Sequence, residues 1–433
     1  MGNKISLGEF NIYYIYIILY INFELLSDYL YGLNFFKKEY DIFSTIKIFP
    51  SETQNDFADH YFMHQIFNYL GTLIIAIITQ KKSLFKKIVR ASSKSLIYKN
   101  VEEEIKSRLS FGFYLFIIIL LVLEEQLIYI YCKFFKDIDF WMIELLIIAY
   151  MNSHMFKINI YKHQKLAIYF NAIVPLILKI ATIFLSLKVD EFKKELLYVK
   201  MPILILPFFP IYIFLISLRS YINTKIKWYM DIKYISEEKI LISYGFFGAL
   251  LGIIFSIITT IVAKKRESSY GSQYNFFEDI FEYFDIYKNG IYESFLEILL
   301  ILLSFIISFC KYYFFLVVIK YFTPVHAIFS NPIYYIFDKL FLFINTLINT
   351  KGKFFDTRNK DIKILKVLLD LSGDILSILG YLIYLELIVL HFNKYDYNIK
   401  HNIMKRSKLE SLPNIDIDES VNFDDEPQME ESN

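Results

Sequence analysis

The sequence predicts an all-α integral membrane protein of about ten transmembrane helices, and three observations carry that prediction. Composition is the first: 56% of the 433 residues are hydrophobic and 19% aromatic, with a mean hydropathy of +0.40. A water-soluble domain must coat itself in polar surface and does not carry such a load. The second is that the apolar residues come in runs near the roughly 20 residues that a helix needs to cross a bilayer. The third is that the 21% of charged residues gather mostly between those runs. Lipid offers backbone amides no partner, so a helix, which satisfies its own, is the economical way to fill such runs.

With that ruler the spans fall near 11–32, 61–80, 110–133, 140–158, 166–187, 201–221, 241–263, 294–318, 324–348 and 367–392. Phe113–Leu123, Ile240–Val262 and Ile298–Phe309 are the clearest, being nearly uninterrupted. The first span holds Glu24 and Asp28, and the ninth is broken by Pro332 and Asp338, so these two are the weakest. Residues 264–292 read as an acidic extramembrane loop with Glu278, Asp279, Glu282 and Asp285 among aromatics. The chain from 394 to 433 reads as a cytoplasmic tail, basic and then acidic, and expected to be disordered.

Basic loops set the expected orientation. Nine Lys and Arg lie between Lys81 and Arg108; Arg219, Lys225, Lys227, Lys233 and Lys239 follow the sixth span, and a basic stretch from Lys394 follows the last. Ten spans put all three on one side and both termini in the cytoplasm, against the basic loop of Lys351, Lys353, Arg358 and Lys360. Met1-Gly2-Asn3-Lys4-Ile5-Ser6 fits the N-myristoylation pattern, which makes Gly2 a lipidation candidate and agrees with a cytosolic start. No cleavable signal peptide is evident. Plasma membrane and endomembrane (Golgi, ER or vacuole) both remain open.

Charge inside the spans is the pointer to chemistry. A charged side chain at mid-bilayer costs at least about 2.5–3.5 kcal/mol, so it persists only beside a partner, a wet cleft or the interface. Glu124, Glu125 and Gln126 follow eleven apolar residues in the third span. Glu144 lies in the fourth, Lys179 in the fifth, Glu297 and Lys311 in the eighth, and Asp370, Asp374 and Glu386 in the tenth. Asn331-Pro332 breaks the ninth span, and a broken helix exposes backbone groups to a solute. Glu124, Glu144, Lys311 and Asn331 are therefore the candidate substrate-binding residues, with Glu124 and Lys311 the favoured pair. Interhelical ion pairing and snorkelling are the structural alternatives. Asp370 and Asp374 share one face near a helix start and are expected to stabilise it or meet water. Gly248 and Gly252 are expected to serve close packing.

Two stretches resemble the drug/metabolite transporter superfamily, which includes the nucleotide-sugar and related solute carriers. In 139–172, DFWMIELLIIAYMNSHMFKINIYKHQKLAIYFNA, one span ends in a short basic turn and the next begins almost at once, similar to the family's fourth and fifth helices. In 227–252, KWYMDIKYISEEKILISYGFFGALLG is similar to its link between helices six and seven. Thr323-Pro324 and Gly380-Tyr381 with Tyr384-Leu385-Glu386 fit the same picture, whereas the first two spans match least. The resemblance implies two inverted five-helix repeats, here 1–188 and 189–393, with a solute site between them. It also places helices five and ten at the bundle edge, which makes Lys179 structural. A faint internal symmetry, CKFFKDIDFWMIELL against IKYFTPVHAIFSNPI, points the same way.

The expected function is thus a multi-pass secondary transporter of a small polar organic solute, working by alternating access. Its expected partners are the bilayer, the solute, a coupling proton and a second copy of the chain. A net charge of +1 gives no footing for nucleic acid. Two cysteines, Cys132 and Cys310, make neither a disulfide framework nor a cysteine zinc site. HExxH, GxGxxG and GxxxxGK[ST] are absent, and no cofactor is expected. Two other readings stay open: a membrane-embedded lipid-modifying enzyme using His154, and a structural or regulatory membrane protein that transports nothing.

Overall fold

Apolar runs too long for strands and lacking turn residues fold as helices, and that is what the chain contains. A computed structural model describes residues 5–7, 12–32, 61–91, 101–134, 141–156, 160–186, 205–233, 235–267, 291–330, 333, 336–337, 360–392, 394–399 and 401–403. Its helices are α1 (Tyr14–Gly32), α2 (Tyr61–Ala91), α3 (Val101–Phe134), α4 (Trp141–Phe156) and α5 (Lys162–Ile168), which runs through a π turn (Tyr169–Ile173) into α6 (Val174–Ser186). They continue with α7 (Ile205–Ile232), α8 (Glu237–Glu267), α9 (Ile291–Tyr321), the short α10 (Pro324–Phe329) and α11 (Lys360–Tyr384). Strands β1 (Ile5–Leu7) and β2 (Ile388–Leu390) pair antiparallel with Ser6 opposite Val389.

Among the described residues four helices are long and apolar enough to cross a membrane: Phe62–Gln80, Lys162–Phe184, Glu237–Val262 and Ile298–Tyr321. Tyr14–Ser27 and Met142–Phe156 are shorter apolar helices. These six coincide with the expected spans one, two, four, five, seven and eight. The last turns of α8 reverse the pattern of a soluble protein. On α8, Ser256, Thr259 and Thr260 are buried while Ile253, Ile254, Ile257, Ile258 and Ile261 are about half exposed. Water would reject such an outer face; lipid accepts it.

Several expected boundaries are corrected. α3 starts at Val101 and α8 at Glu237, because helices continue past the hydrocarbon into their basic or acidic flanks. The tenth span is not 367–392: α11 begins at Lys360 and stops at Tyr384. There Glu386 takes a left-handed φ of 59°. Its N–H donates to Ile383 O at 3.1 Å and that of Leu387 to Leu382 O at 2.9 Å, a Schellman-type closure. Glu386 is therefore outside the helix. Asp370 and Asp374 lie well inside α11 rather than near its start, and Asp374 is buried. In the ninth span α10 is helix, and Ile333, Ile336 and Phe337 beyond it are helical too; Thr323 is the N-cap of α10 and Pro324 sits in its first turn, where its missing N–H costs nothing. Gly2, Asn331, Pro332, most of the 264–292 loop and the tail beyond 403 fall outside the described residues.

Packing settles the direction of each helix. α1 runs antiparallel to α9, since Tyr13 stacks on Tyr321 and Phe23 on Phe314. α2 runs antiparallel to α8, with Gly252 over Ile66 and Gly245 over Leu73. A Cβ on Gly248 would stand 2.2 Å from the Tyr69 ring, so that crossing needs glycine. α3 opposes α7, with Tyr114 against Tyr229, and α11 opposes the α5–α6 pair, with Asn171 Nδ2 donating to Ser377 O. One end of the bundle thus collects the starts of α1, α3, α5, α8 and α10 and the ends of α7, α9 and α11. The Tyr14 hydroxyl donates to Leu385 O there, and Lys320 meets Glu237. The β1–β2 ladder sits at this terminal end and ties Ile5–Leu7 to the segment just after α11.

Candidate functional site

The helices bring six charged side chains to one level. Tyr14 and Glu24, Tyr114 and Glu124, Arg219 and Tyr229, and Lys311 and Tyr321 stand ten residues apart, each pair on one helix. At 1.5 Å per residue the charges lie about 15 Å from the terminal end, half the depth of a ~30 Å hydrocarbon core. Glu144 and Glu125 join them from α4 and α3.

Glu124, with no exposed surface, accepts the approach of Arg219: Nε stands 2.9 Å from Oε1. An Arg219 terminal nitrogen lies 3.8 Å from Glu144 Oε2, a charge contact too long for a hydrogen bond. One guanidinium from α7 thus serves two carboxylates, from α3 and α4. Lys311 Nζ on α9 lies 3.7 Å from Glu24 Oε1 on α1, and the Tyr20 hydroxyl donates to Glu24.

Glu125, the residue after Glu124, is held differently. Its Oε2 accepts from the Tyr69 hydroxyl at 3.0 Å and the Tyr244 hydroxyl at 2.6 Å. Gln126 Nε2 donates to Tyr69 at 2.9 Å. Successive positions on α3 project about 100° apart, so one glutamate ties α3 to α2 and α8 while its neighbour faces α7.

These side chains sit on buried faces yet are not all sealed. Leu215, Ile216, Ile222 and Asn223 surround Arg219 on α7 and are buried, while Arg219 keeps 30% of its side-chain surface. Lys311 keeps 20% and Glu24 19%, again beside buried neighbours Ser308 and Ile21.

Of the sequence candidates, Glu124, Glu144 and Lys311 belong to this layer, while Asn331 is outside the described residues. Glu124 is bridged to Arg219, and Lys311 to Glu24. Arg219, expected in the loop after the sixth span, lies inside α7. Its signal was in the sequence: Ile222, Ile226 and Tyr229 continue the apolar face beyond Arg219 at helical spacing, and all are buried. His154 is exposed and stacks on Tyr150 at the end of α4. Among the described residues no three or more His, Cys, Asp or Glu converge as for a metal ion. Compared with known proteins, the chain matches no family model and no curated sequence.

Proposed function

We propose that this chain is a secondary transporter that moves a small polar organic solute by alternating access, built on the drug/metabolite transporter plan of two inverted five-helix halves. The observation that carries the reading is a partial exchange symmetry in the helix packing among the described residues, one that the α4–α7 contact does not share. Swapping the halves takes α1 to α7, α2 to α8, α3 to α9, α4 to α10 and α5–α6 to α11. The contact of α1 with α9 then becomes that of α7 with α3, and α2 with α9 becomes α8 with α3. The pairs α2 with α8, α4 with α10 and α6 with α11 each map onto themselves. Inverted halves with a site between them at mid-depth are a general transporter arrangement.

Further support comes from the charged layer, which lies where such a site belongs and has open surface on Arg219 and Lys311. The pairing of Ile5–Leu7 with Ile388–Leu390 at one end of the bundle fits an even number of crossings between them, and the basic loops favour a cytoplasmic side for that end. Glu124 or Glu144 is the carboxyl suited to exchange a coupling proton, since two acids share one guanidinium.

Reconstitution tests the proposal. Purified full-length protein in liposomes is expected to accelerate uptake of at least one labelled solute among amino acids, short peptides, nucleosides and nucleotide sugars. Arg219→Gln is expected to abolish that uptake in protein that still elutes as a folded species. Liposomes that stay impermeable to the whole panel, with folded protein present in both orientations, overturn it.

A further inference from the structure

The two mid-depth bridges are twins of opposite polarity. Exchanging the halves carries the α1–α9 contact onto the α7–α3 contact, so Glu24 corresponds to Arg219 and Lys311 to Glu124. The acids Glu24, Glu124 and Glu144 all come from the first half, and the bases Arg219 and Lys311 both come from the second. Where these helices meet, one side is therefore acidic and the other basic. To rock apart, the halves must break both bridges in a region of low dielectric. A buried charge stripped of its partner is strongly destabilising. Something must replace the partners.

Two details indicate that the two sides do not saturate each other. Glu124 Oε2, on a side chain with no exposed surface, has no hydrogen-bond partner among the described residues. Arg219 carries five N–H donors, and its contacts are the 2.9 Å approach of Nε to Glu124 and the 3.8 Å approach to Glu144. The 30% of the Arg219 side-chain surface that stays open leaves the guanidinium able to take a further acceptor, and Glu124 Oε2 lies on the carboxylate it already touches.

We infer that the solute is an α-amino acid, bound as the zwitterion. Its ammonium docks on Glu124 Oε2 beside Glu144, and its carboxylate takes the open surface of Arg219 in the two-point geometry that guanidinium favours. The two charges of an α-amino acid sit on one carbon, which suits groups that already touch. No net charge enters, and each side gains a partner as the bridge opens. This rests on the transport reading above and names its substrate class.

The test uses purified full-length protein and the standard L-amino acids one at a time, followed for the best of them by its decarboxylated amine and its deaminated acid. Binding is read as ligand-induced rise in Tm, and movement as uptake into proteoliposomes. At least one amino acid is expected to bind, with each singly charged analogue about tenfold weaker or more, the loss of one charge contact. Glu124→Gln and Arg219→Gln are expected to lose binding. The double variant E124Q/R219Q strands no charge, so it is expected to fold and still not bind. Equal binding of a singly charged analogue, no binding by any amino acid, or wild-type binding by E124Q/R219Q overturns the inference. An amino acid that binds with this charge dependence but is not carried leaves the site standing and removes transport. A sugar nucleotide carried in place of amino acids does the reverse.

Discussion

Ion pairs occur at two depths in this protein, and the same chemistry has different consequences at each. At the terminal end Lys320 meets Glu237 and Lys227 lies 3.1 Å from Asp231, with Lys320 and Asp231 roughly two-fifths exposed. Water screens such pairs, and each is worth about 0–1 kcal/mol. At mid-depth Arg219 stands between Glu124 and Glu144, and both carboxylates are buried. There the cost of taking each charge out of water governs the outcome, and breaking a pair is far more costly than forming it is rewarding. The terminal pairs each keep one well-exposed partner; the mid-depth pairs tie α3 and α4 to α7, and α1 to α9.

The largest expected effect breaks that contrast at its centre. Arg219→Gln leaves two buried carboxylates without their cation and is expected to destabilise by about 3 kcal/mol, the low end for a buried pair because the guanidinium is partly open. Thermal unfolding in detergent measures it, and E124Q/R219Q is expected to recover most of the loss. A single variant as stable as wild type would place the mid-depth layer in water like the terminal one.

Gly248→Leu comes next. The added side chain meets the Tyr69 ring, and overpacking at such a crossing costs about 1–3 kcal/mol. Because Tyr69 also holds Glu125, the variant is expected to loosen the tie of α3 to α2 and α8, read as a lower unfolding temperature in detergent. Tyr244→Phe removes one of the two hydroxyls on Glu125 and is expected to cost about 1–2 kcal/mol. Uptake is expected to persist, since Glu125 faces α2 and α8 rather than Arg219.

The terminal end gives the smallest shifts. Glu386→Gly relieves a left-handed backbone in a non-glycine residue and is expected to stabilise by up to about 1 kcal/mol. Its contact with His163, 3.5 Å away, is lost at the same time. Lys320→Ala is expected to cost about 0.5 kcal/mol or less, and to cost nothing in high salt. A larger, salt-insensitive loss would show that the terminal latch also carries load across the halves.

Much of the helix inventory was legible because hydrocarbon imposes a length on apolar runs. Spans two, five, seven and eight were readable to within a few residues, as were the cores of one and four. Helix ends were less so: α3 and α8 extend through charged flanks that still favour helix, and α11 stops early because Glu386 turns the chain into β2. Glu124, Glu144 and Lys311 stood out as charges inside apolar runs. Arg219 did not, because the apolar run ends beside it and a basic stretch follows; only the continuing periodicity of Ile222, Ile226 and Tyr229 marked it as interior.

The sequence by itself determined that the chain is helical and suited to lipid, since composition and run length act locally and need no partner. It also determined which spans carry charge at a cost. Only the tertiary structure decided who neutralises whom: Glu124 with Arg219 across 95 positions of sequence, and Lys311 with Glu24 across 287. Pairing is a property of distance in space, and a few ångströms at mid-depth separate a stabilised charge from a stranded one.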